Sequence, residues 1–347
     1  MTLIDPQHRK PVAAWLAVVC TLTFGMIILG GLTRLTDSGL SMVDWDPIMG
    51  AVPPLNEQDW AEVFDQYRQS PQYLKENKGM PLEDFKFIFY MEYFHRLLGR
   101  FIGSVFALPW LFFAIRGWVK RPMIRHGLAI LVLGGAQGVI GWYMVQSGLV
   151  DVPRVSHFRL AIHLSLGIAL FSYVLCLAFA VFLPHRDHQD GDLLPRLTLP
   201  SLTALTLVGL QIVSGAFVAG LRAGHAYNTF PMMHGSFLPS AAWSYTPWIS
   251  NFLENPVMVQ FVHRWFAWVV AAAVVALFVA FGRRLHSRRL RVSFILLLAC
   301  LGLQVTLGVL TLLTRVPVSL GSLHQAGAVI LWSILLFISF HGWTRRA

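Results

Sequence analysis

Eight apolar runs, each long enough to cross a hydrocarbon core, constrain this chain more than anything else in it. They fall at roughly residues 12–32, 88–115, 124–146, 157–183, 198–220, 257–281, 291–314 and 320–342. A span needs about 20 apolar residues, and inside lipid only a helix satisfies every backbone group within its own segment. Charged residues make up 13% of the chain, against about 25% in a soluble domain. That is too little charge to coat a globule of 347 residues. The expected class is therefore an all-α integral membrane protein with eight transmembrane helices. The net charge of +10 does not indicate nucleic acid, because the basic residues are scattered over short loops. Cys20, Cys176 and Cys300 all sit inside apolar runs, so no structural disulfide is expected.

Basic residues set an expected orientation. Fifteen lie on one side: Arg9, Lys10, Arg116, Lys120, Arg121, Arg125, Arg186, Arg196, Arg283, Arg284, Arg288, Arg289, Arg291, Arg345 and Arg346. The other side has nine, and five of these share a long loop with ten acids. Both termini should then face the cytoplasm. The start, Met1 to Pro11, resembles neither a cleaved signal nor a transit peptide, so the first run is expected to remain as a helix. Two long outer loops, about 33–86 and 221–256, are expected to be functional.

Four histidines occupy matched places. His95, His163, His263 and His324 lie near the starts of the second, fourth, sixth and eighth runs. If the helices alternate across a membrane, all four lie at similar depth near the outer surface. The chain also reads as two copies of a four-helix unit. Phe94-His95-Arg96 matches Val262-His263-Arg264 at a distance of 168 residues, and Gln137 in the third run matches Gln304 in the seventh. The expected domains are 1–190 and 191–347, two pseudo-repeated four-helix bundles. Each bundle offers two imidazoles to one cofactor between its helices. Neutral imidazoles facing one another in an apolar bundle are suited to ligate a haem iron. Metal-ion binding and a proton relay are the alternatives.

The halves differ beside the first histidine of each. Glu92 precedes His95 by three residues, and Gln260 precedes His263 by three. Residues i and i+3 share a helix face, roughly 5–6 Å apart at Cβ. Glu92 is therefore expected to flank the ring of any haem on His95, where it could transfer a proton or polarise a water. Its other reading is an ion pair with Arg96 or Arg100. Arg96, Arg159 and Arg264 are candidate partners for haem propionates, because a guanidinium fork matches a carboxylate. Snorkelling to lipid headgroups is the alternative for each. A bis-histidine electron-transfer cytochrome b would explain the four histidines equally well, but not Glu92 against Gln260.

Longer stretches resemble a known family, the haem A synthases. They are Gly31-Leu32-Thr33-Arg34-Leu35-Thr36-Asp37-Ser38-Gly39-Leu40-Ser41 followed by Trp45 and Pro47, then Glu92-Tyr93-Phe94-His95-Arg96-Leu97-Leu98-Gly99-Arg100, and Ala226-Tyr227-Asn228-Thr229-Phe230-Pro231-Met232-Met233. The resemblance covers nearly the whole chain. It implies eight transmembrane helices in two halves, with haem b held by His263 and His324 as cofactor. It implies haem O as the substrate, between His95 and His163, and Glu92 as the essential catalytic glutamate. The reaction it implies oxidises the C8 methyl of haem O to a formyl group through hydroxylated intermediates, with water as oxygen source. Some members carry a cysteine pair in each long outer loop. This chain carries none there, which resembles the cysteine-free branch shared by proteobacteria and mitochondria. The implied setting is a bacterial inner membrane. The implied partners are membrane lipid, haem O synthase, cytochrome oxidase assembly factors and an unidentified electron acceptor.

Overall fold

The computed structural model describes residues 3–43, 50, 52–150, 152–183, 190 and 193–343. Trp45, Pro47, Arg186, Arg345 and Arg346 lie outside the described residues. Among those described there is no strand, and eight helices are long and apolar enough to cross a membrane. These are α1 (Arg9–Leu35), α4 (Leu82–Ile115), α5 (Arg121–Gln146), α6 (His157–Phe182), α7 (Leu194–Gly220), α9 (Pro256–Leu277), α10 (Arg288–Leu313) and α11 (Val318–Trp343). Three short helices lie in the long loops: α2 (Glu57–Arg68), α3 (Pro71–Lys75) and α8 (Ser250–Glu254). The ends fall within a few residues of the apolar runs, except that α4 begins six residues earlier than its run.

The chain forms two compact units. One comprises Met1–His8 and Val18–Leu170; the other comprises Arg9–Ala17 and Phe171–Ala347. His95 and His163 belong to the first, His263 and His324 to the second. In the second unit Leu194 and Leu197 of α7, Val274 of α9, Phe294 of α10 and Leu335 of α11 form a core with little or no exposure. Lipid tails are as apolar as leucine, so this core is stabilised by close packing rather than by removal from water.

The first unit adds a core of a different kind. The early start of α4 extends the helix into the long first loop. Phe85, Ile88, Phe89, Glu92 and Tyr93 recur at helical spacing and form one buried face. Trp60, Tyr67 and Tyr73 of α2 and α3 pack on its aromatic part. Both short helices start on sequence signals: Asn56 accepts from Asp59 N at 2.9 Å, and Ser70 accepts from Tyr73 N at 3.3 Å with Pro71 in the first turn. The result is a cap over the loop end of α4. Gln72 Nε2 ties the cap to the end of α1 by donating to the Asp37 carbonyl at 2.8 Å.

Tyr67 is fully buried in this cap. Its hydroxyl donates to Gln72 Oε1 at 3.1 Å and accepts from Asn77 Nδ2 at 2.7 Å. Burial pushes its phenol up from 10.0 to about 12, although the Asn77 hydrogen bond pulls the other way. Above pH 10 the unfolded chain releases a proton that the folded cap retains, so cap stability should fall as pH rises from 10 to about 12. Tyr67→Phe should abolish that dependence and cost about 1–3 kcal/mol at neutral pH, through the unpaired Gln72 and Asn77 groups. Thermal melts of the two proteins across that range check both outcomes.

Candidate functional site

Each of the four histidines packs on a glycine of the helix before it. A β-carbon added at Gly30 of α1 would lie 3.2 Å from His95 Nε2. One at Gly141 of α5 would lie 3.0 Å from His163 Cε1, one at Gly215 of α7 3.3 Å from His263 Cε1, and one at Gly308 of α10 2.9 Å from His324 Cε1. Small residues let helices approach closely in a membrane, and here they let an imidazole approach a neighbouring backbone. His95 and His163 lie in one compact unit, and His263 and His324 lie in the other, so the four side chains divide into two pairs.

Glutamines one turn before three of these glycines grip the same histidines. Gln137, Gln211 and Gln304 each donate through Nε2 to the backbone carbonyl of His163 (3.0 Å), His263 (2.9 Å) and His324 (2.9 Å). Their Oε1 atoms are buried without a hydrogen-bond partner, as are Nδ1 of His163 and of His324. His263 is oriented further. The Ser214 hydroxyl donates to the Gln211 carbonyl at 2.8 Å and lies 2.7 Å from His263 Nδ1. An Nδ1–H donated to that hydroxyl would leave Nε2 as the nitrogen that can ligate a metal.

The two long loops end on the residues that flank the first histidine of each unit, with opposite polarity. In the first unit, Glu92 is 3% exposed and four donors converge on its carboxylate. Oε2 accepts from Ser41 N at 2.8 Å, Ser41 Oγ at 2.8 Å and Met42 N at 2.9 Å. Oε1 accepts from Arg96 Nη2 at 2.6 Å, and Arg96 also donates to the Met42 carbonyl at 2.9 Å. In the second unit the loop presents carbonyls instead. Gln260 Nε2 donates to Ala223 O at 2.8 Å and Tyr227 O at 3.1 Å. Arg264 Nη2 donates to the carbonyls of Tyr227 and Thr229. Among the described residues no carboxylate pairs with Arg264, and its Nε and Nη1 are buried without a partner there.

Among the candidate arginines, then, Arg96 is engaged by Glu92, and Arg264 keeps two buried donors to spare. Arg159 donates to the Tyr143 carbonyl at 2.6 Å and lies over the Tyr143 ring, 3.7 Å from its centroid. Sequence reasoning missed Ser41, Gln211 and Ser214. Ser41 closes a quoted motif, but nothing in the motif says what it bonds. Gln211 was readable from the recurrence of glutamine four residues before glycine in α5, α7 and α10, but Ser214 has no counterpart before Gly141 or Gly308.

A family profile described as a cytochrome oxidase assembly protein, COX15-CtaA, matches residues 13–336. A Heme A synthase of Nitrosospira multiformis is 46% identical over 331 residues, 95% of this chain and 93% of that protein. The chain belongs to the haem A synthase family. Other haem A synthases like it are those of Nitrosomonas eutropha, 42% identical over 96% of this chain and 94% of its own length, and of Rhodospirillum centenum, 45% identical over 94% and 87%. For a haem A synthase the donor set fits a haem. Paired imidazoles offer axial nitrogens, and the unpartnered Arg264 N–H groups need an anion such as a propionate, since buried donors without acceptors are costly.

The contrast between Glu92 and Gln260 gives a direct test. Arg96→Ala leaves a buried carboxylate without its counter-charge and should destabilise the protein by about 3–5 kcal/mol. Arg264→Ala strands no charge of the chain, so in haem-depleted protein its cost should be smaller. Paired thermal melts of the two variants in the same detergent read the difference.

Proposed function

We propose that this chain oxidises the C8 methyl of haem O to a formyl group, yielding haem A for terminal cytochrome oxidases. The observation that carries the reading is the buried Glu92 cluster one turn from His95, replaced by neutral Gln260 one turn from His263. The two halves, 1–190 and 191–347, are then assigned different tasks. His95 and His163 hold the iron of the substrate haem O. His263 and His324 hold a resident haem b, whose redox chemistry supplies a route for electrons. Family membership and the names of the relatives support this reading over a bis-histidine electron-transfer cytochrome b.

Conversion of a methyl to a formyl group takes in one water and releases four protons and four electrons. The protein's own work is positioning and proton transfer. The histidines, each set against a glycine backbone, would hold the haem iron. Glu92 accepts a proton at Oε1 or Oε2 from a water or hydroxylated carbon at the ring edge. Protonation at Oε1 breaks the Arg96 pair, so the buried guanidinium favours passing the proton on rather than storing it. Arg264 offers its free Nε and Nη1 donors to a propionate of the haem on His263 and His324, and Arg96 and Arg159 stand as the weaker candidates. The apolar tail of haem O lies along lipid-facing helix surfaces.

The basic-residue asymmetry supports an orientation with both termini cytoplasmic, and the setting proposed for this haem A synthase is a bacterial inner membrane. Both histidine pairs then lie toward the outer leaflet. Haem O synthase and oxidase assembly factors are the partners for delivery and collection, and an electron acceptor outside the chain takes the electrons.

Glu92→Gln keeps the size of the side chain and removes its charge. It should leave low-spin haem b in the purified protein while haem A formation falls at least about 10²-fold, the lower range for loss of a general acid or base. Haem A yield equal to wild type would remove Glu92 from the mechanism. His263→Ala and His324→Ala should each abolish the low-spin haem b spectrum, and retention of that spectrum in both would refute the second-unit site.

A further inference from the structure

The four histidine stations share one design, and one of them breaks it. On α5, α7 and α10 a glutamine stands four residues before the glycine: Gln137 before Gly141, Gln211 before Gly215 and Gln304 before Gly308. Each glutamine bridges two helices by donating to the carbonyl of the histidine it faces. On α1 the residue four before Gly30 is Met26. Its Sδ–Cε end takes the glutamine's place: Met26 Cε lies 3.5 Å from where a β-carbon on Gly99 would be, and Gln137 Nε2 lies 3.2 Å from the same point on Gly167. Gly99 follows His95 by four residues, as Gly167 follows His163. The steric position is filled, but a thioether has no N–H to donate.

The ring at this station is turned as well. His163, His263 and His324 present Cε1 to their glycines, whereas His95 presents Nε2 and Cδ2 to Gly30. An imidazole with an amide beside it has polar groups that select one face. Beside Met26 the chain offers no such selection from α1.

We infer that Met26 makes His95 the exchangeable ligand of the four, so that the haem between His95 and His163 enters and leaves while the haem on His263 and His324 stays. The inference rests on the assignment of His95 and His163 to the substrate. An enzyme whose substrate and product are both haems needs one site that lets go, and a helix–helix hydrogen bond at each ligand works against letting go. Three stations carry that bond and the fourth carries a methyl thioether of similar length. Met26 acts through His95 and touches no reacting atom, so its role is one of positioning.

The experiment uses full-length protein purified in detergent with the haems it carries, and excess apomyoglobin as acceptor. Haem departure is followed optically, the pigment collected is identified by chromatography, and the low-spin signals are recorded by electron paramagnetic resonance. Met26→Gln should slow departure of haem O and haem A by about tenfold, the worth of one internal hydrogen bond in this range. It should also shift the low-spin signal of that haem toward that of the other. Gln137→Met, which buries no new polar group and covers the case in which Met26→Gln does not fold, should speed the same departure. In both variants departure of haem b should be unchanged. Departure rates for haem O and haem A equal to wild type in each variant that folds would overturn the inference. If His95→Ala and His163→Ala each purify with the same haem O and haem A content as wild type, the assignment beneath it fails instead.

Discussion

The contact on which the rest of this structure depends is an imidazole laid against a glycine backbone. In a bilayer there is no water to drive helices together, so association rests on close packing and on hydrogen bonds between helices. Gly30, Gly141, Gly215 and Gly308 allow the approach, and the glutamines one turn away convert it into a polar bridge. The same four contacts that hold each even-numbered span to its predecessor therefore also aim the four nitrogens. A larger residue at any of these glycines moves a span and an imidazole together.

A second constraint sits on top of the first. A carboxylate at membrane depth is costly unless donors surround it, and the first long loop supplies them. The cap built on Phe85 and Phe89 braces the stretch after α1, and that stretch delivers the Ser41 and Met42 amides to Glu92. In the second unit the loop through Tyr227 and Thr229 turns its carbonyls inward, and a glutamine and an arginine answer them. The inversion from donors to acceptors is what allows one unit to keep a carboxylate beside its histidine and the other a neutral amide. It also frees Arg264 for an anion from outside the chain, whereas the corresponding Arg96 is bound by Glu92.

Much of this was legible in the sequence, for physical reasons that also explain the gaps. Spans are written in apolar length, so their ends fell close to expectation. The extension of α4 before its apolar run was not visible that way, because Glu83, Asp84 and Lys86 interrupt the run while Phe85 anchors the cap. Glu92 stood out through its contrast with Gln260, and its pairing with Arg96 was the simpler of two readings. Its bonds to Ser41 were not legible, since they join residues 51 positions apart through a loop whose path no local rule dictates. Gln137 and Gln304 were seen as a matched pair because the halves were compared with each other. Gln211 was hidden in that comparison, since its counterpart on α1 is Met26 rather than a glutamine.

The central claim is that one pair of histidines holds a haem that is kept and the other a haem that is changed. The most direct measurement is the chemical identity of the pigments in the purified full-length protein, extracted and separated by chromatography. The account predicts haem b together with haem O or haem A in the same preparation. Haem b alone, or no haem at all, would contradict it.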